Sequence, residues 1–235
     1  MESDCVAELE RWLRDRFVEL CKVIGQPVPF SGLRISPALG SEESKYFLLG
    51  LETGLFQTDK FSCVQSPLLE PVNAGTLKRD SCRIFQFDSL PPRLIRERIS
   101  QLATASLLIL KRGWLTSHIQ LEPGLTDNLE QSYGIDLLIR SRTGQILTGV
   151  KVKRSLPELQ KLIADLRACC ARGPHARDDC GFPQNHPNYE FCAVYKPQYF
   201  WGVAPDGDVC VRMKCDNDSI RLEPLSSLPP RSIME

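Results

Sequence analysis

The stretch from Tyr133 to Ser155, YGIDLLIRSRTGQILTGVKVKRS, constrains this chain more than any other. Two short apolar runs flank the polar turn SRTG, which is the pattern of a β-hairpin. A helical pattern, SLPELQKLIADLRACC, follows at once. Ser155 and Glu158 stand in capping-box spacing at its start, and Pro157 falls in the first turn, where proline is tolerated. A hairpin that feeds a helix needs a sheet for both to pack on, so the expected class is α/β or α+β. Side chains alternate along a strand. In QILTGVKVK, Ile146, Thr148, Val150 and Val152 therefore share one face, and Leu147, Gly149, Lys151 and Lys153 share the other. The first face suits a core. The second ends in two cations, and the hairpin returns Asp136 beside them.

The rest of the chain surrounds this unit. VAELERWLRDRFVELCKVIG has apolar residues at helical spacing and a stop at Gly25. KYFLLGL, FSCVQ and CRIFQF read as short strands, with a tight turn at Glu52 to Gly54. Residues 1–90 are thus expected to form a helix plus a small antiparallel sheet, with the boundary at Ser89 to Pro92 and an α/β core over residues 91–235. Within that core, RLIRERISQLATASLLILKRG reads as a helix capped at Gly113. WLTSHIQL reads as a strand, followed by a polar loop from Glu122 to Ser132. After the second helix comes a loop from Arg172 to Asn188, then strands YEFCAVY and YFWGVA, a turn at PDGDV and a weakly patterned tail.

Composition narrows the partners. The chain has 235 residues, long enough for a full core, and 29 basic residues balance 29 acidic ones. A strongly basic nucleic-acid-binding domain is therefore excluded, though a local basic patch is not. No run approaches the roughly 18 apolar residues of a membrane helix. The N-terminus has no signal-peptide core, so an intracellular protein, cytoplasmic or nuclear, is expected. The ten cysteines include no C-x-x-C pair and read as free thiols.

The chemistry concentrates on Asp136, Lys151 and Lys153. A carboxylate can hold Mg²⁺, which polarises a phosphate and acidifies a bound water, and a lysine can stabilise the developing charge. LILKRGW, IDLLI, TGQILTGVKVKRS and LPELQKLIADL follow one another from Arg93 to Ala204 in an order that resembles the PD-(D/E)xK, or restriction-endonuclease-like, nuclease superfamily. The resemblance implies a mixed sheet flanked by helices, with Asp136 as the metal-binding aspartate and Lys153 as the catalytic lysine. The chain departs from the family at the motif acid. If Lys153 is the motif lysine, Lys151 stands where the acid belongs. If Lys151 is the motif lysine, that position is Gly149, and Asp165 on the following helix is the candidate second metal ligand.

The resemblance gives three expectations. The leading one is a nucleic-acid-binding protein of nuclease fold with a degraded metal site and weak or no phosphodiester cleavage. The second is an active Mg²⁺-dependent DNA endonuclease using Asp136, Lys151 and Asp165. The third is a non-catalytic protein-interaction scaffold. Arg93, Arg96, Arg98, Lys111 and Arg112 give the helix before the hairpin a basic cast, and Arg93, Arg96, Lys111 and Arg112 are the candidate phosphate contacts. Cys169, Cys170, His175, Cys180, His186 and Cys192 gather around one loop, but their spacing is irregular for zinc, and buried thiols with loop histidines are expected there instead. GQILTGVK lacks the Gly-Lys-Ser/Thr of a phosphate-binding loop.

Overall fold

A computed structural model describes residues 2–69, 83–86, 91–121, 133–216 and 219–234. The expected loop from Glu122 to Ser132, and Ser89 and Leu90 of the expected boundary, lie outside them. The chain divides into two compact units, Met1–Lys111 and Arg112–Glu235. The division follows the helix that the sequence reading had assigned to the second unit.

In the first unit, α1 (Glu2–Val23) buries Leu9, Leu13, Phe17 and Leu20 at the spacing the sequence shows. The second helix, α2 (Ser41–Glu52), replaces the strand expected at KYFLLGL. A short apolar run does not distinguish the two by periodicity. Here Glu42 and Glu43 occupy the first turn, where acids favour a helix start, and the Glu43 carboxylate accepts the Gly40 N–H at 3.1 Å. Two-residue strands follow: β1 (Gln57–Thr58) with β2 (Val64–Gln65), and β3 (Phe85–Gln86) with β4 (Arg93–Leu94), each pair antiparallel. The unit ends in α3 (Arg96–Leu110), which packs along α2. Arg96 joins the two helices. Its guanidinium grips the Glu43 carboxylate, at 2.6 Å from Nη1 to Oε1, and donates to the carbonyls of Pro37 and Ala38.

In the second unit, six strands form one sheet in the order β10–β9–β8–β7–β6–β5. They are β5 (Ile119–Leu121), β6 (Leu137–Arg140), β7 (Ile146–Val152), β8 (Tyr199–Ala204), β9 (Gly207–Asp216) and β10 (Ser219–Leu225). Every neighbouring pair is antiparallel except β7 and β8. A parallel pair needs a crossover. It is made by α4 (Leu156–Arg172) and α5 (His186–Tyr195). The chain closes with the short helix α6 (Arg231–Met234). Mixed α/β architecture is thus what the chain adopts.

Three local expectations change. YEFCAVY lies within α5 and is not a strand. WLTSHIQL contributes only β5, after a 3-10 turn at Thr116–His118. The weakly patterned tail after Asp216 supplies β10, which completes a long hairpin with β9. The cap of α4 also differs. Ser155 makes no side-chain cap bond, and the Leu156 N–H is instead taken by the Asp206 carboxylate at 2.7 Å, from the β8–β9 turn. Glycines let helix and sheet meet. A Cβ on Gly149 would collide with the Phe191 ring of α5, and one on Gly202 with Leu159 of α4. Lys151 follows Gly149 by two and pairs with Gly202 across β8, so it stands on this helix-covered face.

Candidate functional site

The hairpin register sets the first cluster. Leu137 pairs with Val150, and the Asp136 N–H donates to the Val150 carbonyl at 3.0 Å. The ladder therefore continues one residue beyond β6 and brings Asp136 opposite Lys151, as the sequence reading requires. Lys151 Nζ lies 3.1 Å from both Asp136 oxygens. The Val152 N–H donates to Oδ2 at 2.6 Å. Both side chains are largely shielded, 13% exposed for Asp136 and 16% for Lys151, so water screens the pair only weakly. Lys153 continues the strand and donates its backbone N–H to the Val203 carbonyl at 2.9 Å. The carboxylate thus has its charge balanced by an ammonium and one oxygen taken by the backbone. A divalent cation would have to displace that ammonium.

Asp165 engages another set of partners. Its carboxylate is buried on α4 and accepts Lys161 Nζ and Asn185 Nδ2, each at 2.7 Å. Asn185 immediately precedes His186, so Asp165 ties the middle of α4 to the start of α5. In the register using Lys151 as motif lysine, both of its proposed acids are therefore already paired with cations.

The basic candidates are divided between the two units. Arg96 is buried against Glu43 and Ser100, and Arg98 is buried beside Gln101. Lys111 is exposed but paired with Glu42 at 2.7 Å. Arg93 is exposed on β4. Arg112 belongs to the second unit, where it donates to the Leu228 carbonyl and lies over the Trp201 ring. Arg96 lies on the side of α3 that faces α2, where the Glu43 carboxylate meets it.

The second cluster is the one sequence reasoning set aside. Cys169 in the last turns of α4, His175 and Cys180 in the loop, and His186 at the first position of α5 converge. One ligand atom from each lies within 4.8 Å of all the others. The Cys169 and Cys180 sulfurs are 3.3 Å apart, well beyond the roughly 2.05 Å of a disulfide. Cys170 and Cys192 lie in the same apolar core as Cys169 and Cys180 but are not part of the four-ligand group.

Each histidine is oriented by one ring nitrogen. His175 Nδ1 lies 2.7 Å from the Gly173 carbonyl, which also accepts the Tyr189 hydroxyl at 2.9 Å. A carbonyl only accepts, so Nδ1 carries a proton, and that bond to Gly173 is the main cause that raises the His175 pKa. His186 turns Nε2 toward the Glu190 carboxylate at 3.6 Å. Of the remaining nitrogens, His186 Nδ1 is buried with no hydrogen-bond partner, and His175 Nε2 is buried on the side of the Cys180 thiol.

The thiols respond to the same surroundings. Burial first, and Cys180 second, push Cys169 up to about 12. Burial also works to raise Cys180, but contact with His175, the Phe182 N–H and Cys169 outweighs it, and its pKa is lowered. Of the pair, Cys180 is the more acidic thiol. Burial lowers His186, which keeps the ring neutral.

The missed signal is the spacing C-x5-H-x4-C-x5-H from Cys169 to His186. It becomes compact only because Gly173, at φ 78°, turns the chain out of α4 and because His186 opens a helix. The chain matches no protein-family model, no curated protein and no solved structure. Among the described residues, no helix is long and apolar enough to cross a membrane.

Proposed function

We propose that the Arg112–Glu235 unit is a nuclease-like domain of the PD-(D/E)xK kind that binds nucleic acid and does not cut it. The reading is supported by the order of elements: three antiparallel strands β5–β6–β7, a helical crossover, and β8 parallel to β7. The observation that carries it is the 3.1 Å contact between Lys151 Nζ and Asp136. Mg²⁺ selects clustered carboxylate oxygens, and catalysis needs a metal-acidified water beside the phosphate. An ammonium held on the one carboxylate at that point repels the metal and supplies no ligand. Binding, in this reading, runs through the cationic end of β7, Lys151 to Arg154, and owes nothing to α3.

The test is an incubation of the full chain with single- and double-stranded DNA and RNA, with Mg²⁺ or Mn²⁺, beside Asp136→Ala and Lys153→Ala. No cleavage that depends on Asp136 is expected. Filter binding over several salt concentrations should show affinity falling as salt rises, and Lys153→Ala should weaken it and flatten that dependence.

A second reading, a protein-interaction scaffold, is favoured by the burial of Arg96 and Arg98 and by the zero net charge. It is selected if no nucleic acid shows salt-dependent binding.

A further inference from the structure

We propose that Cys169, His175, Cys180 and His186 form a structural zinc site that fastens α4, the Gly173–Asn185 loop and α5 to one another. Two sulfurs and two imidazole nitrogens match the donor preference of Zn²⁺, whereas Mg²⁺ and Ca²⁺ take oxygen.

The geometry suits one tetrahedral ion. Zn–S bonds of about 2.3 Å and Zn–N bonds of about 2.0 Å place ligand atoms about 3.3–3.8 Å apart. The four atoms all lie within 4.8 Å of one another, and the two sulfurs at 3.3 Å. A small adjustment of side-chain torsions closes the set.

The independent observation is an orphaned nitrogen. His186 is 1% exposed, and its Nδ1 is buried with no hydrogen-bond partner. Buried polar atoms are otherwise satisfied almost without exception, so this orphan requires a reason. His175 is half-buried and turns its ring against the Cys180 thiol of the same four-residue cluster. On each ring the opposite nitrogen faces an oxygen, the Gly173 carbonyl for His175 and the Glu190 carboxylate for His186. That is how proteins orient imidazoles that ligate a metal.

The surroundings support a structural role. Four protein ligands leave no open position for water or substrate, which is the mark of a structural site. Cys169, Cys180 and His186 are buried, and the His175 ring stacks on Tyr189 with centroids 4.8 Å apart. Asp165 reinforces the site through Asn185 by holding the residue before His186. The ion would hold the loop between α4 and α5, whose Leu159 and Phe191 cover Gly202 and Gly149 of the sheet.

The test uses the untagged full chain, produced with zinc in the medium and purified under reducing conditions. Elemental analysis should find one zinc per chain. Chelation followed by Co²⁺ should give the intense visible bands of tetrahedral cobalt and a thiolate charge-transfer band. Cys169→Ser and His186→Ala should each lower zinc affinity about ten-fold or more, while Cys210→Ala keeps the metal. If the ligand variants fail to fold, the cobalt spectrum of the wild-type chain decides alone. The proposal is overturned by a wild-type chain that takes up neither zinc nor cobalt. It is equally overturned by an octahedral cobalt spectrum without thiolate bands, by unchanged metal content in both ligand variants, or by a Cys169–Cys180 disulfide in the reduced preparation.

Discussion

Lys151 Nζ sits 3.1 Å from both carboxylate oxygens of Asp136, on adjacent antiparallel strands, and the Val152 N–H takes one of those oxygens as well. In a two-acid metal site, mutual repulsion between carboxylates is relieved by the bound cation. Here the chain supplies its own cation at the neighbouring position. The Lys151 ammonium already meets the Asp136 carboxylate, so a metal gains little by entering.

The α4 cap separates two candidate residues. Asp206 accepts the Leu156 N–H, whereas the Ser155 side chain makes no cap bond. Asp206→Ala should therefore cost about 0.5–2 kcal/mol, in the range of a lost N-cap. Ser155→Ala should leave stability nearly unchanged. Urea unfolding of the two variants beside the parent checks the contrast.

The Arg96–Glu43 pair is the buried ion pair between α2 and α3, with side chains 3% and 7% exposed. Removing one partner strands a charge in the core. Glu43→Ala should lose about 3–5 kcal/mol of stability, and Arg96→Ala a similar amount. Lys111→Ala, at the exposed pair with Glu42, should lose less than about 1 kcal/mol. Thermal denaturation of the three variants checks the ordering.

Buried thiols set an alkaline limit. Burial first, and the Asp208 charge second, raise Cys210 from its ordinary 9.0 to about 12. The folded value lies above the unfolded one. Its contribution to stability is therefore complete below about pH 9 and is lost as pH rises from there toward 12. At pH 8 only about one Cys210 in ten thousand is thiolate, so iodoacetamide should leave it unmodified until denaturant is added. Peptide mapping after alkylation, with and without urea, reads this directly.

Much of the sheet was legible because its signals are local. The SRTG turn and the alternation in QILTGVKVK mark the β6–β7 hairpin and bring Asp136 toward Lys151 and Lys153, but the pairing of Leu137 with Val150 also depends on a register shift between Ile139 and Arg140 that neither signal shows. The helices α2 and α5 were not legible from KYFLLGL and YEFCAVY, because short apolar runs read alike in either conformation. The deciding cues lay upstream, in Glu42 and Glu43 for α2 and in Pro187 in the first turn for α5. Misreading α5 also concealed the Cys/His cluster. As a loop residue before a strand, His186 has no reason to approach Cys169; as the first residue of a helix packed on α4, it does. Arg96, a candidate phosphate contact by charge alone, is buried instead, because nothing local to α3 shows that Glu43 of α2 will meet it.

In the proposed reading Lys151 stands where a metal would contact Asp136, and Mn²⁺ titration calorimetry tests this most directly. The wild-type chain should show no Mn²⁺ binding that depends on Asp136. Lys151→Glu, which places an acid two residues before Lys153, should bind Mn²⁺ and lose that binding when Asp136→Ala is added. Mn²⁺ binding by the wild-type chain that disappears in Asp136→Ala would contradict the account.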